Sequence, residues 1–113
     1  FRVNNRYWIL DWKTNCLGNR TADYNGDSLT RAMYDHDYIL QYILYTLALH
    51  RHLARTLPDY DYDSHFGGAM YVFTRGVRPE SPTNGVFTDR PPFRLIQELD
   101  RISSNTAGGP DEQ

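Results

Sequence analysis

The chain has 113 residues, of which 40% are hydrophobic and 14% aromatic, enough for one compact domain with a small core. Its formal net charge of −2 excludes a general attraction to nucleic acid, so such binding must come from local patches or from another part of a larger protein. One cysteine excludes an internal disulfide and fits a reducing compartment. Without a signal peptide or an apolar run of membrane-spanning length, the sequence predicts a soluble, cytoplasmic protein with no membrane partner.

The first residues predict part of a hairpin. Residues 1–6 match the end of a strand and a tight turn at Asn4 and Asn5, residue types that tolerate left-handed backbone geometry. Because most of the hairpin's first strand is missing, the sequence indicates a piece of a longer chain. The sheet edge left open there predicts that copies of this piece can self-associate through it.

Residues 6–15 predict the main strand, because bulky aromatic and β-branched side chains run together there. Alternation along a strand puts Asp11 and Lys13 on one face and the tryptophans Trp8 and Trp12 on the other. A carboxylate and an ammonium pointing the same way can hold a divalent metal and steer a water or phosphate. On this three-residue pattern alone, a solvated ion pair at a strand end is the favoured interpretation.

A long helical pattern follows a polar loop. Residues 29–57 contain no Pro or Gly, and their apolar positions recur every three or four residues, which predicts an amphipathic helix. Ser28 or Thr30 is expected to cap it. The pattern allows a break near residues 35–37, where an aspartate would cap a second segment.

Gln41 and Tyr45 lie one turn apart on the same face of that helix. One interpretation is core packing for the tyrosine and solvent for the glutamine. The other is a polar pair at the border of a site, an amide and a phenol that hold a phosphate or orient a lysine. The helix alone favours neither.

The second half of the chain completes a β-α-β unit. Residues 59–63 alternate acids and aromatics, with His65 nearby, and a solvated linker is favoured there over a metal site. Residues 69–74 predict an apolar, central strand that runs parallel to the first, with a single helix between them and a right-handed crossover. A short extended piece near residues 85–88 precedes a final helix over residues 93–102. Residues 103–113 are expected to be a disordered tail.

Taken in order, these segments resemble one family. The matching segments are Ile-Leu-Asp-Trp-Lys-Thr-Asn at residues 9–15, Gln-Tyr-Ile-Leu-Tyr-Thr-Leu-Ala-Leu-His at residues 41–50, and the strand entered by Phe-Gly-Gly at residues 66–68. They resemble the C-terminal nuclease domain of exodeoxyribonuclease V beta subunits, the RecB family, within the PD-(D/E)xK nucleases. The resemblance implies an α/β fold with a mixed sheet flanked by helices, of which residues 1–102 form the C-terminal part.

The same resemblance implies a role for each candidate site residue. Asp11 would be a Mg²⁺ ligand and the central catalytic acid, and the main-chain carbonyl of Trp12 would be a further ligand. Lys13 would position the attacking water or stabilise charge on the phosphate. Gln41 and Tyr45 would support the lysine and the substrate phosphate. The implied reaction is metal-assisted hydrolysis of a DNA phosphodiester.

The resemblance also implies a parent protein and its partners. The parent would be a helicase–nuclease that binds DNA, uses ATP in separate helicase domains, and works with RecC-like and RecD-like subunits in double-strand break repair and recombination. Its other metal ligands would lie upstream of Phe1, so the isolated piece is expected to bind Mg²⁺ weakly and degrade no DNA. The alternative is a degenerate nuclease fold used for protein docking or DNA guidance. The presence of both Asp11 and Lys13 argues against that alternative.

Overall fold

The computed structural model describes residues 1–108, and for residues 105–108 it describes only the backbone. Its strands form one four-stranded sheet. The strands are β1 (Arg2–Val3), β2 (Arg6–Lys13), β3 (Phe66–Phe73) and β4 (Val86–Asp89), and they lie in that order across the sheet. β2 and β3 are parallel, whereas β1 and β4 pair antiparallel with their neighbours. The sheet is therefore mixed, and the predicted parallel β2–β3 pair with a central β3 is confirmed.

The predicted N-terminal hairpin is present. Asn4 and Asn5 form its turn with φ of 53° and 65°, the left-handed region that asparagine tolerates. The backbones of Phe1 and Trp8 exchange two hydrogen bonds of 2.7 and 3.0 Å. Within the described residues, no strand pairs with the rest of that edge of β2, from Ile9 onward.

The helical connection between β2 and β3 differs from the single predicted helix. It contains α1 (Gly26–Asp35), α2 (Tyr38–Thr56) and the short α3 (Tyr62–His65), with a 3₁₀ turn before α1. The break between α1 and α2 falls where the sequence allows it. Its physical basis is Asp37, which has a left-handed φ of 58° and makes no capping hydrogen bond with its side chain.

One helix cap differs from prediction, and a second was not predicted. α1 is capped by Asn25, whose side chain accepts a hydrogen bond from the Ser28 backbone N–H at 3.0 Å, and not by Ser28 or Thr30. The Thr30 hydroxyl instead donates to the Gly26 carbonyl within the helix. Asp61 caps α3 in the same way that Asn25 caps α1, so part of the expected linker is a helical turn.

The last helix is longer than predicted. α4 runs from Phe93 to Gly108, beyond the expected end at Ile102, so the prediction of a disordered tail is wrong for residues 103–108. The remaining part of that prediction, residues 109–113, lies outside the described residues.

The helices cover one face of the sheet. Ile9, Tyr71 and Phe73 point toward the helices, and the core lies between the two layers. Its most deeply buried side chains come from both layers: Tyr24, Leu29, Met33, Tyr42, Phe66, Tyr71, Phe73 and Ile96. On the opposite face, Leu10 is 39% exposed and Trp12 62% exposed. None of the described helices is long and apolar enough to cross a membrane.

Candidate active site

Asp11 and Lys13 form an ion pair at the C-terminal end of β2. The Lys13 Nζ lies 3.3 Å from Asp11 Oδ2, so the two side chains share the helix-covered face, as the strand period predicts. The side chain of Lys13 is 16% exposed and that of Asp11 is 26% exposed. Both charges are therefore partly withdrawn from water, which strengthens their interaction with each other and with any charged ligand.

Aromatic rings complete the surroundings of the ammonium. Asp11 pairs with Tyr71 across the parallel strands, which places the two side chains next to each other on one face. Tyr38, the first residue of α2, reaches the same point from the helical layer. The Lys13 Nζ lies 4.1 Å from the centre of the Tyr38 ring and 5.5 Å from that of Tyr71. Lys13 thus contacts one carboxylate and two aromatic rings.

Gln41 joins this group through Tyr71. The Tyr71 hydroxyl donates a hydrogen bond of 2.6 Å to Gln41 Oε1. The pKa of Tyr71 is raised chiefly by burial, and to smaller extents by the nearby Asp11 carboxylate and the Tyr45 and Tyr38 phenols. Its hydroxyl therefore keeps its proton and remains a donor. Because the amide oxygen of Gln41 is engaged, its NH₂ group is left to donate to an acceptor such as a phosphate oxygen.

Tyr45 lies on the solvent side of the group. It follows Gln41 by one turn of α2 and is 47% exposed. Its phenol is near enough to contribute to the raised pKa of Tyr71. Tyr45 is therefore not a core residue, which was one of the two sequence interpretations, and it borders the site from outside.

The backbone and the side chain of Trp12 point in different directions. The side chain lies on the uncovered face, away from Asp11. Because the backbone groups of Trp8 pair with Phe1, the alternation of a strand directs those of Leu10 and Trp12 toward the same edge. The Trp12 carbonyl therefore points away from β3, toward the open edge of the sheet.

Known proteins similar to this chain identify its family. The chain is 48% identical over 102 residues to the RecBCD enzyme subunit RecB of Escherichia coli (strain K12), a match that covers 90% of this chain. It is 49% identical, with the same coverage, to the subunit of that name from Haemophilus influenzae. This chain belongs to the RecB family. No family model matches it.

The RecB-family match covers a small part of the relatives. The chain spans 9% of the length of the Escherichia coli protein and 8% of the Haemophilus influenzae protein. The RecB subunit of Mycobacterium tuberculosis (strain CDC 1551 / Oshkosh) is 43% identical over 100 residues, with 9% of its length covered. The mixed sheet with its helical layer and the similarity to RecB together support the PD-(D/E)xK nuclease-like fold.

The ligands required by Mg²⁺, the metal that the RecB family implies, can be compared with the oxygen donors of this chain. Asp11 supplies a carboxylate and Trp12 a carbonyl, which are the hard oxygen donors that Mg²⁺ prefers. Among the described residues, however, no three His, Cys, Asp or Glu side chains lie close enough together to hold a metal ion. The donors of this RecB-family piece fit Mg²⁺ in kind, but their number is too small for tight binding.

Two residues of the candidate site, Tyr38 and Tyr71, were not predicted from the sequence. Tyr38 precedes Gln41 by three residues and Tyr45 by seven, so the helical period puts all three on one face of α2. That spacing was a usable signal, but it is also the signal of core packing. Tyr71 carried no such signal, because its position beside Asp11 depends on the register between β2 and β3.

Proposed function

We propose that this chain is the C-terminal part of the nuclease domain of a RecB subunit and contributes Asp11, Lys13, Gln41 and Tyr45 to Mg²⁺-dependent hydrolysis of DNA. The proximity of Asp11 and Lys13 at the end of β2, within the RecB similarity, is the main support. The parent would act in the cytoplasm with RecC-like and RecD-like subunits in DNA repair and recombination, and would use ATP in its helicase part.

The proposed chemistry assigns a task to each side chain. Bound Mg²⁺ supplies positive charge that polarises the phosphate and lowers the pKa of a water, and Asp11 and the Trp12 carbonyl would hold it. The Lys13 ammonium donates a hydrogen bond to the attacking water or to a phosphate oxygen. A water oxygen bonds to phosphorus while the bond to the leaving sugar oxygen breaks, and Lys13 offsets the negative charge that develops. The attacking water loses its proton to solvent, and the leaving oxygen takes one from solvent.

Gln41 and Tyr45 would bind the substrate phosphate. The NH₂ of Gln41, which has no partner among the described residues, and the partly exposed hydroxyl of Tyr45 are neutral donors on the same helix face. They can bind a non-bridging phosphate oxygen without adding charge, whereas Lys13 and the metal supply the charge. Tyr45 is the outer of the two, so the DNA would approach from its side of the site.

Replacement of Asp11 tests the proposed function. In the full-length RecB protein, Asp11→Ala is expected to lower DNA digestion by at least about 10³-fold, because it removes the carboxylate nearest the lysine. ATP-driven unwinding is expected to continue at the wild-type rate, since it belongs to another part of the protein. Asp59→Ala, at an exposed position after α2, is the matched control. Digestion that survives Asp11→Ala would disprove this role of Asp11.

The isolated chain is expected to be inactive. One carboxylate and one carbonyl cannot offset the cost of removing water from Mg²⁺, so the ion should bind only weakly. Calorimetric titration of the 113-residue chain with Mg²⁺ and a DNA degradation assay measure the two consequences. Efficient cleavage by the isolated chain would show that its ligand set is already complete.

The alternative, a scaffold for protein docking or DNA guidance, has one observation in its favour. Trp12 and Leu10 expose apolar surface on the uncovered face of the sheet, which is typical of a surface that packs against something else. Unchanged digestion in the full-length Asp11→Ala variant, together with lost assembly or DNA binding in variants of that face, would support the scaffold.

A further inference from the structure

We propose that Tyr38 is a positioning residue for Lys13, whose ammonium it holds against the face of its ring at the proposed nuclease site. The proposal rests on the proposed function for its catalytic consequence. The contact itself can be measured without any nuclease activity.

The geometry of the contact carries the proposal. The Lys13 Nζ is 4.1 Å from the centre of the Tyr38 ring, well inside the distance at which a cation is attracted to an aromatic face. Tyr71 lies farther away, at 5.5 Å. Since the lysine side chain is only 16% exposed, little water competes with the ring for the ammonium.

A lysine in a hydrolytic site needs such a partner. Its four-carbon stem is flexible, and its ammonium lacks the planar, forked geometry that orients the guanidinium of an arginine. Asp11 is an insufficient anchor, because any cation that binds this carboxylate weakens its hold on the ammonium. The ring of Tyr38 attracts Lys13 without using an oxygen that a metal could take.

Tyr38 is itself fixed to the segment that carries Lys13. Its hydroxyl meets the side-chain amide of Asn15, with Nδ2 at 3.1 Å and Oδ1 at 3.3 Å. Asn15 follows Lys13 by two residues. The backbone of Tyr38 begins α2, so the ring is held at one end by the helix and at the other by the chain that leaves β2. The Tyr38 ring thereby ties the position of the Lys13 ammonium to that of the helical layer.

The contact can be observed directly because Lys13 is the only lysine in the chain. Selective labelling of lysine therefore gives one set of side-chain NMR signals. In the wild-type chain we expect nuclear Overhauser effects between the Lys13 ε-methylene and the Tyr38 ring, and an upfield shift of the ε protons. Absence of both in the folded wild-type chain would overturn the proposal without any variant.

Variants of Tyr38 separate its ring from its hydroxyl. Tyr38→Leu should move the Lys13 ε protons toward the position of a free lysine, whereas Tyr38→Phe should keep them close to the wild-type position. Tyr34→Leu, at a tyrosine that is 66% exposed, is the control and should change nothing. An ε-proton shift that is unchanged in folded Tyr38→Leu would overturn the proposal.

The catalytic consequence is tested in the full-length RecB protein. Tyr38→Leu is expected to lower kcat for DNA digestion roughly tenfold with little change in KM, because the ammonium is misplaced while the DNA still binds. Tyr38→Phe should restore most of the rate. Wild-type digestion by Tyr38→Leu, or equal losses in the two variants, would overturn the positioning role.

Lys13→Ala in the same protein distinguishes two kinds of failure. Loss of digestion in Lys13→Ala combined with a normal rate in Tyr38→Leu would refute only the positioning role. Normal digestion in Lys13→Ala would refute the proposed nuclease role of Lys13, whereas the NMR contact would still stand as a structural interaction.

Discussion

Lys13 is the single lysine among the 12 lysine and arginine residues of the chain. The surrounding space explains why arginine would be a poor substitute. An ammonium is compact and carries three donors around one point, so it fits between the Asp11 carboxylate and the Tyr38 ring and still has a donor for a ligand. A guanidinium is planar and larger, and it would bind the carboxylate in a forked pair that leaves fewer donors for a ligand.

His50 shows how a single residue makes the stability depend on pH. Its Nδ1 lies 2.7 Å from the hydroxyl of Tyr60, whose pKa is raised to about 12, chiefly by burial. Burial lowers the pKa of His50, while Asp100 raises it and Arg51 lowers it to smaller extents. The folded state thus favours the neutral imidazole, which accepts the hydrogen bond from Tyr60.

From these shifts we expect the free energy of unfolding to fall as the pH drops below about 6.5, the pKa of an unperturbed histidine. Below this pH the unfolded chain binds a proton at His50 more readily than the folded chain does. Urea unfolding at about pH 7 and about pH 5 measures the loss. His50→Gln should reduce it, whereas His52→Gln, at an exposed position, should not. An identical pH dependence in His50→Gln would contradict this account.

At the scale of elements, local sequence patterns predicted those structural features that depend on a single segment of the chain. The period of two put Asp11 and Lys13 on one face of β2, and the contrast between the apolar β3 and the loops around it indicated a central strand. Gln41 and Tyr45 also share one side of α2, as the helical period requires. These features follow from neighbouring residues alone, so the sequence was sufficient for them.

Features that depend on contacts between segments were not predicted. The hydrogen bond between Tyr71 and Gln41 requires both the register of β2 with β3 and the docking of α2 on the sheet. The cap at Asn25 was missed because Ser28 and Thr30 are equally good capping residue types, and only the actual start of α1 decides among them. The extension of α4 was missed because its last turns are polar and contain Gly.

At the scale of the whole molecule, the two faces of the sheet differ. One face packs against all the described helices, while the other exposes Leu10 and Trp12. The radius of gyration is 16.6 Å, larger than the approximately 13 Å typical of a compact domain of about 100 residues. The smallest dimension is 20 Å, the thickness of one sheet with one helical layer. This shape leaves apolar surface that an ordinary two-sided α/β domain would bury.

From the uncovered face and the open edge of β2, we predict that the isolated chain self-associates. The backbone groups of Leu10 and Trp12, which no described strand pairs, can pair with a second copy and bury the side chains beside them. Trp12→Lys is expected to weaken association roughly tenfold by placing a charge there. Leu44→Lys, at an exposed position on α2, is the control. Sedimentation velocity over a range of concentrations measures both, and a wild-type chain that stays monomeric throughout would refute the prediction.

The direction of the Trp12 carbonyl would link sheet pairing to the proposed catalysis. A strand that pairs with this side of β2 would lie beside the Trp12 carbonyl. In the proposed nuclease, an acidic side chain on such a strand would add an oxygen donor for the metal. In the proposed nuclease, a domain without that strand would not cut the chromosome. Cutting ability would be acquired only together with correct tertiary structure, and a misfolded copy would stay inactive.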